Sequence, residues 1–261
     1  LVELIRIITG FRAKEPSFVA VTCKFSLEKR SVFMPFVFAP PAQAAIPVLD
    51  ERYEFFPIHR VYGIAKNYAE PGAPKDTPFY FMKTADNVVA VPEGEVLSIP
   101  MPPGTNDLRH EIELVACLGR GGRNLTLEEA QEAIWGWSVG IDFTVADQKL
   151  PSGGRDMMRS KVFERSAPVS FVKPAYRTPL PNPVDLWLYV NNQKRQAGST
   201  SNLVLSPYEQ IVELSRYFTL EPGDIIFTGT PNGSSTLAVG DMIDAGVNGI
   251  GSIKVKIVEN A

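Results

Sequence analysis

From Arg60 onward, apolar residues come in short runs broken by Gly and Pro, a pattern of many short strands rather than long helices. Period-two alternation is clearest near the C-terminal end. There Ser252-Ile253-Lys254-Val255-Lys256-Ile257-Val258 predicts a strand with one buried face and its lysines in water. Glu221-Pro222-Gly223-Asp224 marks a turn into Ile225, Ile226 and Phe227, and Val239-Gly240-Asp241 marks one into Met242 and Ile243. Two capping boxes signal helices: Thr126 with Glu129 ahead of Ala130, Ala133 and Ile134, and Ser206 with Glu209 ahead of Ile211, Val212, Leu214 and Phe218. Pro207 sits at the first helical position, where a missing N–H costs nothing. No Gly-rich phosphate fingerprint follows a strand and opens a helix, so a nucleotide-binding α/β fold is not indicated. The pattern predicts an α+β chain, predominantly β.

Two apolar runs carry acids. His110-Glu111-Ile112-Glu113-Leu114-Val115-Ala116-Cys117-Leu118 reads as a strand buried on both faces, and period two sets Glu111 and Glu113 on one side. Trp137-Ser138-Val139-Gly140-Ile141-Asp142-Phe143-Thr144 reads as a second strand with Asp142 in its middle. Carboxylates held together in an apolar setting repel one another and lose hydration, and a bound cation compensates both costs. All-oxygen ligation suits Mg2+, Mn2+ or Ca2+ rather than zinc. The plainer alternative, a Glu-x-Glu at a strand start facing water, stays open. Lys161, in Ser160-Lys161-Val162-Phe163, reads on composition alone as an ordinary exposed lysine. Thr228-Gly229-Thr230-Pro231-Asn232-Gly233 reads as a plain turn or a cradle for a carboxylate. His110 orients a ligand or satisfies a backbone group.

Charge narrows the partners. With 26 Lys and Arg against 29 Asp and Glu, a net charge of -3, the chain is not an electrostatic nucleic-acid binder, and a small molecule is the expected partner. No apolar run approaches the roughly 18 residues of a membrane span, so no membrane partner is expected. Cys23 and Cys117 lack metal or redox spacing, which suits reducing conditions. A cytoplasmic location is expected, with Arg6, Arg12, Lys14 and Lys24 keeping a mitochondrial alternative in view. Residues 1–52 read as an N-terminal extension, with Met34 a candidate native start, and residues 53–261 as the main domain.

The order of Tyr62-Gly63-Ile64-Ala65-Lys66-Asn67-Tyr68, His110-Glu111-Ile112-Glu113, Gly140-Ile141-Asp142, Lys161-Val162-Phe163, Ala167-Pro168-Val169 and Thr228 to Gly233 resembles fumarylacetoacetate hydrolase family enzymes, especially the fumarylpyruvate hydrolase and acylpyruvase branch. The resemblance implies a mixed β-sandwich roll, a homodimer, and Mg2+ or Mn2+ held by Glu111, Glu113 and Asp142. By the same matching Lys161 meets the substrate's charged oxygens, and Thr230 with Gly229 its carboxylate. The implied reaction is hydrolysis of a carbon-carbon bond in a 2,4-dioxo acid, an acylpyruvate such as fumarylpyruvate, through a metal-stabilised enolate.

Departures from the family pattern are local. The family places a His after the Asn-Tyr pair and a Glu three residues on, to activate water; Pro71 and Pro74 stand there in this chain, in a shorter lid. The family's Arg-Asp-x-Gln after the aspartate reads Ala146-Asp147-Gln148-Lys149. Glu70 is the expected substitute base, with Asp76 and His59 as further candidates. Decarboxylation or tautomerisation of a 2-oxo acid, which needs no activated water, is the alternative reaction. A non-catalytic metal or oxo-acid binding protein is a second alternative.

Overall fold

The structure is a computed structural model that describes residues 36–49, 54–69, 72, 75–177, 180 and 183–260. The strands, in chain order, are β1 (Ala45–Pro47), β2 (Phe55–Pro57), β3 (Val61–Ala65), β4 (Phe79–Lys83), β5 (Val88–Val91), β6 (Val96–Pro100), β7 (Leu108–Arg109), β8 (Ile112–Leu118), β9 (Ile134–Ile141), β10 (Thr144–Val145), β11 (Ala167–Ser170), β12 (Lys173–Pro174), β13 (Asp185–Val190), β14 (Gln193–Ser199), β15 (Ile225–Phe227), β16 (Met242–Val247) and β17 (Gly251–Val258). Helix α1 (Leu127–Ala133) joins β8 to β9, α2 (Met157–Lys161) follows β10, and α3 (Pro207–Tyr217) follows β14.

An eight-stranded mixed sheet runs β4-β3-β15-β8-β9-β11-β5, with β12 also on β9, and a five-stranded sheet runs β14-β13-β16-β17-β6. The two pack face to face as a mixed β-sandwich roll. Ile112, Leu114, Ala116, Val139 and Ile141 of the larger sheet share one core with Leu186, Leu188, Ile243, Ala245, Ile253, Val255 and Ile257 of the smaller. The larger sheet's other face is buried too. Val115, Cys117, Val169, Ile225 and Phe227 pack there with Ile46, Val48, Phe56 and Ile58 from the antiparallel β1–β2 ribbon and its flanks. All seven residues of β8 are therefore buried, which is why its sequence reads as an apolar run interrupted only by Glu113.

Ala42–Ala261 form one compact unit, and β1, upstream of Tyr53, is built into it. Both capping boxes form as predicted, with Thr126 and Ser206 accepting from the backbone N–H groups of Glu129 and Glu209. The last strand shows the predicted alternation, Ile253, Val255 and Ile257 buried and the lysines exposed. Three details differ from expectation. Ile134 opens β9 instead of closing α1. Asp142 sits just past the end of β9 rather than mid-strand, because the Phe143 N–H turns to Ser166 O at 3.0 Å. The short α2, capped by Asp156, carried no periodic signal. Among the described residues no helix is long and apolar enough to cross a membrane. Met34, Cys23 and the basic residues before them lie outside the described residues.

Gly140 on β9 lies opposite Glu113 on β8. A Cβ there would stand 2.5 Å from the Phe227 ring and 2.7 Å from Val115 Cγ2, both in the second core. Overpacking of this kind costs about 1–3 kcal/mol. Gly140→Ala is expected to lower the denaturant midpoint without changing the slope of the unfolding curve. A midpoint equal to wild type would mean the two side chains give way freely.

Candidate metal centre

Glu111 immediately precedes β8, Glu113 is its second residue, and Asp142 follows β9, the antiparallel neighbour of β8. A backbone hydrogen bond from Asp142 N to Glu111 O, 2.8 Å, pins the two strand ends together. One carboxylate oxygen from each of the three acids lies within 4.8 Å of the others. Glu113 and Asp142 are fully buried and Glu111 is half-buried, so the expected side-sharing of the two glutamates holds and the water-facing alternative does not.

Two buried ammonium groups face these acids. Lys161 Nζ donates to Glu111 Oε2 at 2.7 Å, to Thr144 Oγ1 at 2.6 Å and to Asp142 Oδ2, and lies 4.5 Å from the centre of the Phe81 ring. Its exposure is 3%, so the ordinary surface lysine is ruled out. Lys83 Nζ approaches Asp142 Oδ1 at 2.8 Å and donates to Lys161 O at 2.6 Å and Ser166 Oγ at 3.0 Å. Lys83 thus braces both the acid and the backbone of the other lysine.

Three carboxylates against two ammonium groups leave one unbalanced negative charge in a largely buried site. The pKa shifts follow that imbalance. Burial raises the Asp142 carboxyl, but Lys161 and Lys83 outweigh it and hold Asp142 below its usual range. Burial lowers the Lys161 ammonium, and Asp142 and Glu111 more than offset it, so its pKa is raised. For Lys83 burial prevails over Asp142 and the pKa is lowered. Glu113 takes the remainder. Burial, reinforced by Asp142, pushes its carboxyl well above the usual range, against Lys161 and the 2.6 Å hydrogen bond it accepts from Gly229 N–H. A divalent cation fits this donor set, since it supplies the missing positive charge to an all-oxygen cluster.

The loop after β15 forms the next wall. Thr228 anchors it through its backbone N and Oγ1 to Leu114 O, at 3.1 and 2.8 Å. Gly229, at φ +107°, adopts a conformation that favours glycine and aims its N–H at Glu113. That amide is therefore engaged by a carboxylate of the centre, where the sequence suggested a substrate contact. Gln196 Nε2 donates to Thr230 Oγ1 at 2.8 Å and to Pro231 O at 2.8 Å, which leaves the Thr230 proton free to donate elsewhere. Gln196 Oε1 accepts from His110 Nδ1 at 2.9 Å, and His110 Nε2 meets Ser235 Oγ at 3.0 Å. His110 thus steers Gln196 rather than a carboxylate or a backbone group.

Other candidates are not brought to the centre. His59 Nδ1 pairs with Asp224 at 2.9 Å, at the start of β3 and β15, whereas the centre lies beyond their far ends. Asp76 is exposed and 3.6 Å from Lys66 Nζ. Gln148 donates to Gly104 O at 3.0 Å on the surface. Glu70, Pro71 and Pro74 lie outside the described residues.

The family model for the fumarylacetoacetate (FAA) hydrolase C-terminal domain matches residues 60–258. The chain belongs to the fumarylacetoacetate hydrolase family. A fumarylpyruvate hydrolase from Pseudomonas aeruginosa, solved in complex with Mn2+ and pyruvate, superposes with a TM-score of 0.82 at 36% identity, over 87% of this chain and 100% of that one. The mitochondrial oxaloacetate tautomerase of Homo sapiens is 34% identical over 201 residues, 74% of this chain and 89% of its own. The mitochondrial oxaloacetate decarboxylase of Dictyostelium discoideum is 28% identical over 198 residues, 73% of this chain and 89% of its own. This member of the family is accordingly an enzyme whose acidic cluster can hold a divalent metal.

Sequence reasoning missed Lys83 and Gln196. Lys83 had a usable signal, since it alternates with Phe81 on the inward side of β4. Gln196 had none, because β14 is polar along most of its length. Two outcomes follow. A protonated Glu113 cannot ligate, so Mn2+ affinity should fall as pH drops through the raised Glu113 pKa, and binding above it costs no proton release. Titration calorimetry at mildly acidic and mildly alkaline pH checks this, and pH-independent affinity refutes it. Lys83→Met strands Asp142 beside one ammonium group, a loss of about 3–5 kcal/mol for a buried pair. Its thermal midpoint should drop, and Mn2+ should recover part of the drop.

Proposed function

We propose that this family member is a Mg2+- or Mn2+-dependent enzyme acting on a small 2-oxo acid through an enolate, with decarboxylation or tautomerisation of an oxaloacetate-type substrate ahead of acylpyruvate hydrolysis. The observation that carries the reading is the fate of the two histidines. His59 is paired with Asp224 at the wrong end of the sheet, and His110 is engaged by Gln196 and Ser235, so neither stands ready to activate water beside the acidic cluster. Decarboxylase and tautomerase relatives on one side, and a pyruvate-binding hydrolase neighbour on the other, support the substrate class.

In this reading Glu111, Glu113 and Asp142 hold the cation, which when bound supplies Lewis-acid polarisation of the ketone. The Thr230 hydroxyl, aligned by Gln196, donates to the substrate carboxylate. In decarboxylation the C3–C4 bond breaks, carbon dioxide leaves, and the electron pair moves onto the C2 oxygen. The Lys161 ammonium stabilises that developing charge. A proton added at C3 completes pyruvate. Homodimeric assembly belongs to the same reading.

Turnover of oxaloacetate and of an acylpyruvate, each with Mg2+ or with a chelator, tests it. Oxaloacetate decarboxylation or enol–keto exchange should exceed hydrolysis, and the chelator should abolish both. Lys161→Met should lower the rate about a hundred-fold or more. Residual hydrolysis should fall further in Glu70→Gln. Metal-independent turnover, or hydrolysis faster than the other two reactions, overturns the proposal.

A further inference from the structure

The corner beside the open flank of the cluster is built from three neighbouring stretches of chain. Arg109 on β7 is in register with Thr144 on β10 on one side and bridges Thr236 on the other. Residues directly opposite in an antiparallel pair carry their side chains on the same face. Thr144 Oγ1 receives Lys161 Nζ at 2.6 Å, so that face is the one toward the centre. Arg109 therefore leaves its strand on the side of the acids, two residues before Glu111, the half-buried member of the cluster.

The guanidinium is anchored without being saturated. Its Nε and Nη2 donate side-on to the two Asp107 oxygens at 2.8 and 2.9 Å, and Thr236 Oγ1 donates to Asp107 Oδ1 at 2.6 Å, which fixes that carboxylate in turn. The end-on edge, Nη1 with the second Nη2 proton, bonds to no described residue. Two parallel N–H groups there match the two oxygens of a carboxylate. The side chain is 40% exposed, so it stands outside the buried cluster, where an incoming anion can reach it. Hydrogen bonds to Asp107 raise the Arg109 pKa against slight burial, and the charges of Asp107 and Glu111 add to the rise, which sets the guanidinium within electrostatic reach of a metal-binding acid. Arg109's hydrogen bonds hold the Asp107 carboxyl below its usual range, against slight burial, and Thr236 and Arg155 assist. Two guanidinium groups thus face one carboxylate, and this corner carries spare positive charge. Both lysines of the centre, by contrast, are taken by its acids.

We infer that Arg109 is a specificity-determining residue, whose free guanidinium edge binds the far carboxylate of a 2-oxo diacid held at the metal centre by its keto-acid end. The inference rests on the 2-oxo acid reading above, and it names the group that separates an oxaloacetate-type diacid from a monoacid such as pyruvate.

Arg109→Met in the full chain should leave two quantities at their wild-type values, both read by titration calorimetry: Mn2+ affinity, and the pyruvate affinity of the Mn2+-loaded protein. The KM for oxaloacetate should rise about ten- to a hundred-fold, the range for a hydrogen bond to a charged group. Arg109→Lys, which keeps a charge beside Asp107 but not the fork, should recover part of that loss. An oxaloacetate KM unchanged in both variants overturns the assignment and leaves the proposed function standing. A loss of Mn2+ or pyruvate affinity as large as the loss for oxaloacetate also overturns it, by giving Arg109 a structural role. A wild-type protein that binds Mn2+ but neither pyruvate nor any 2-oxo acid substrate removes the proposed function and this assignment together.

Discussion

The pairing of three buried acids with two buried lysines is the constraint on which the rest of the site depends. The five charges come from four pieces of chain: two from the start of β8, and one each from the exit of β9, the end of β4 and the end of α2. None is tolerable alone at that depth, because a single buried ion costs several kcal/mol even after relaxation. The five must arrive together, and the fold is arranged so that they do. Antiparallel pairing of β8 with β9 brings the acids side by side. The neighbouring β15 sends its loop across Glu113, and the edge strand β4 folds Lys83 underneath.

The arrangement also explains why the chemistry is divided among neutral and charged groups as it is. Lys83 contacts Asp142 from the protein interior and reaches the backbone of the Lys161 turn, so it braces the centre. Lys161 shares its ammonium with Glu111, whose half-buried side chain marks the open flank of the cluster. In the proposed function the substrate's carboxylate is met by a hydroxyl that an amide orients, Thr230 under Gln196. Orientation rather than added charge is what a centre already carrying five ionised or ionisable groups can accommodate.

Much of the fold was legible because its signals are local. Capping boxes depend on residues three apart, and both formed; alternation in the final strand depends on the pleat, and it held. Burial of β8 on both faces was legible in its apolar run, and that run made Glu113 stand out as its one interruption. The rest depends on contacts far apart in sequence. Nothing near Lys83 announces Asp142, 59 positions on, and nothing in the polar β14 announces that Gln196 connects His110 to Thr230. Asp142 was placed in the right neighbourhood but inside a strand, because the competing partner for the Phe143 amide, Ser166 O, lies in a segment with no periodic link to it.

The β1–β2 ribbon has a practical bearing on how this protein can be handled. Ile46, Val48, Phe56 and Ile58 are the lid of an apolar surface made by Val61, Val115, Cys117, Val169, Ile225 and Phe227. A chain trimmed back to Tyr53 would keep every residue of the acidic centre yet lose Ile46 and Val48 and leave Phe56 and Ile58 without their β1 partner, baring part of that apolar surface to its neighbours in solution. Fragments for expression or crystallisation are best begun ahead of Ala44, whose carbonyl accepts the Ile58 N–H at 2.8 Å and fastens the ribbon's outer end.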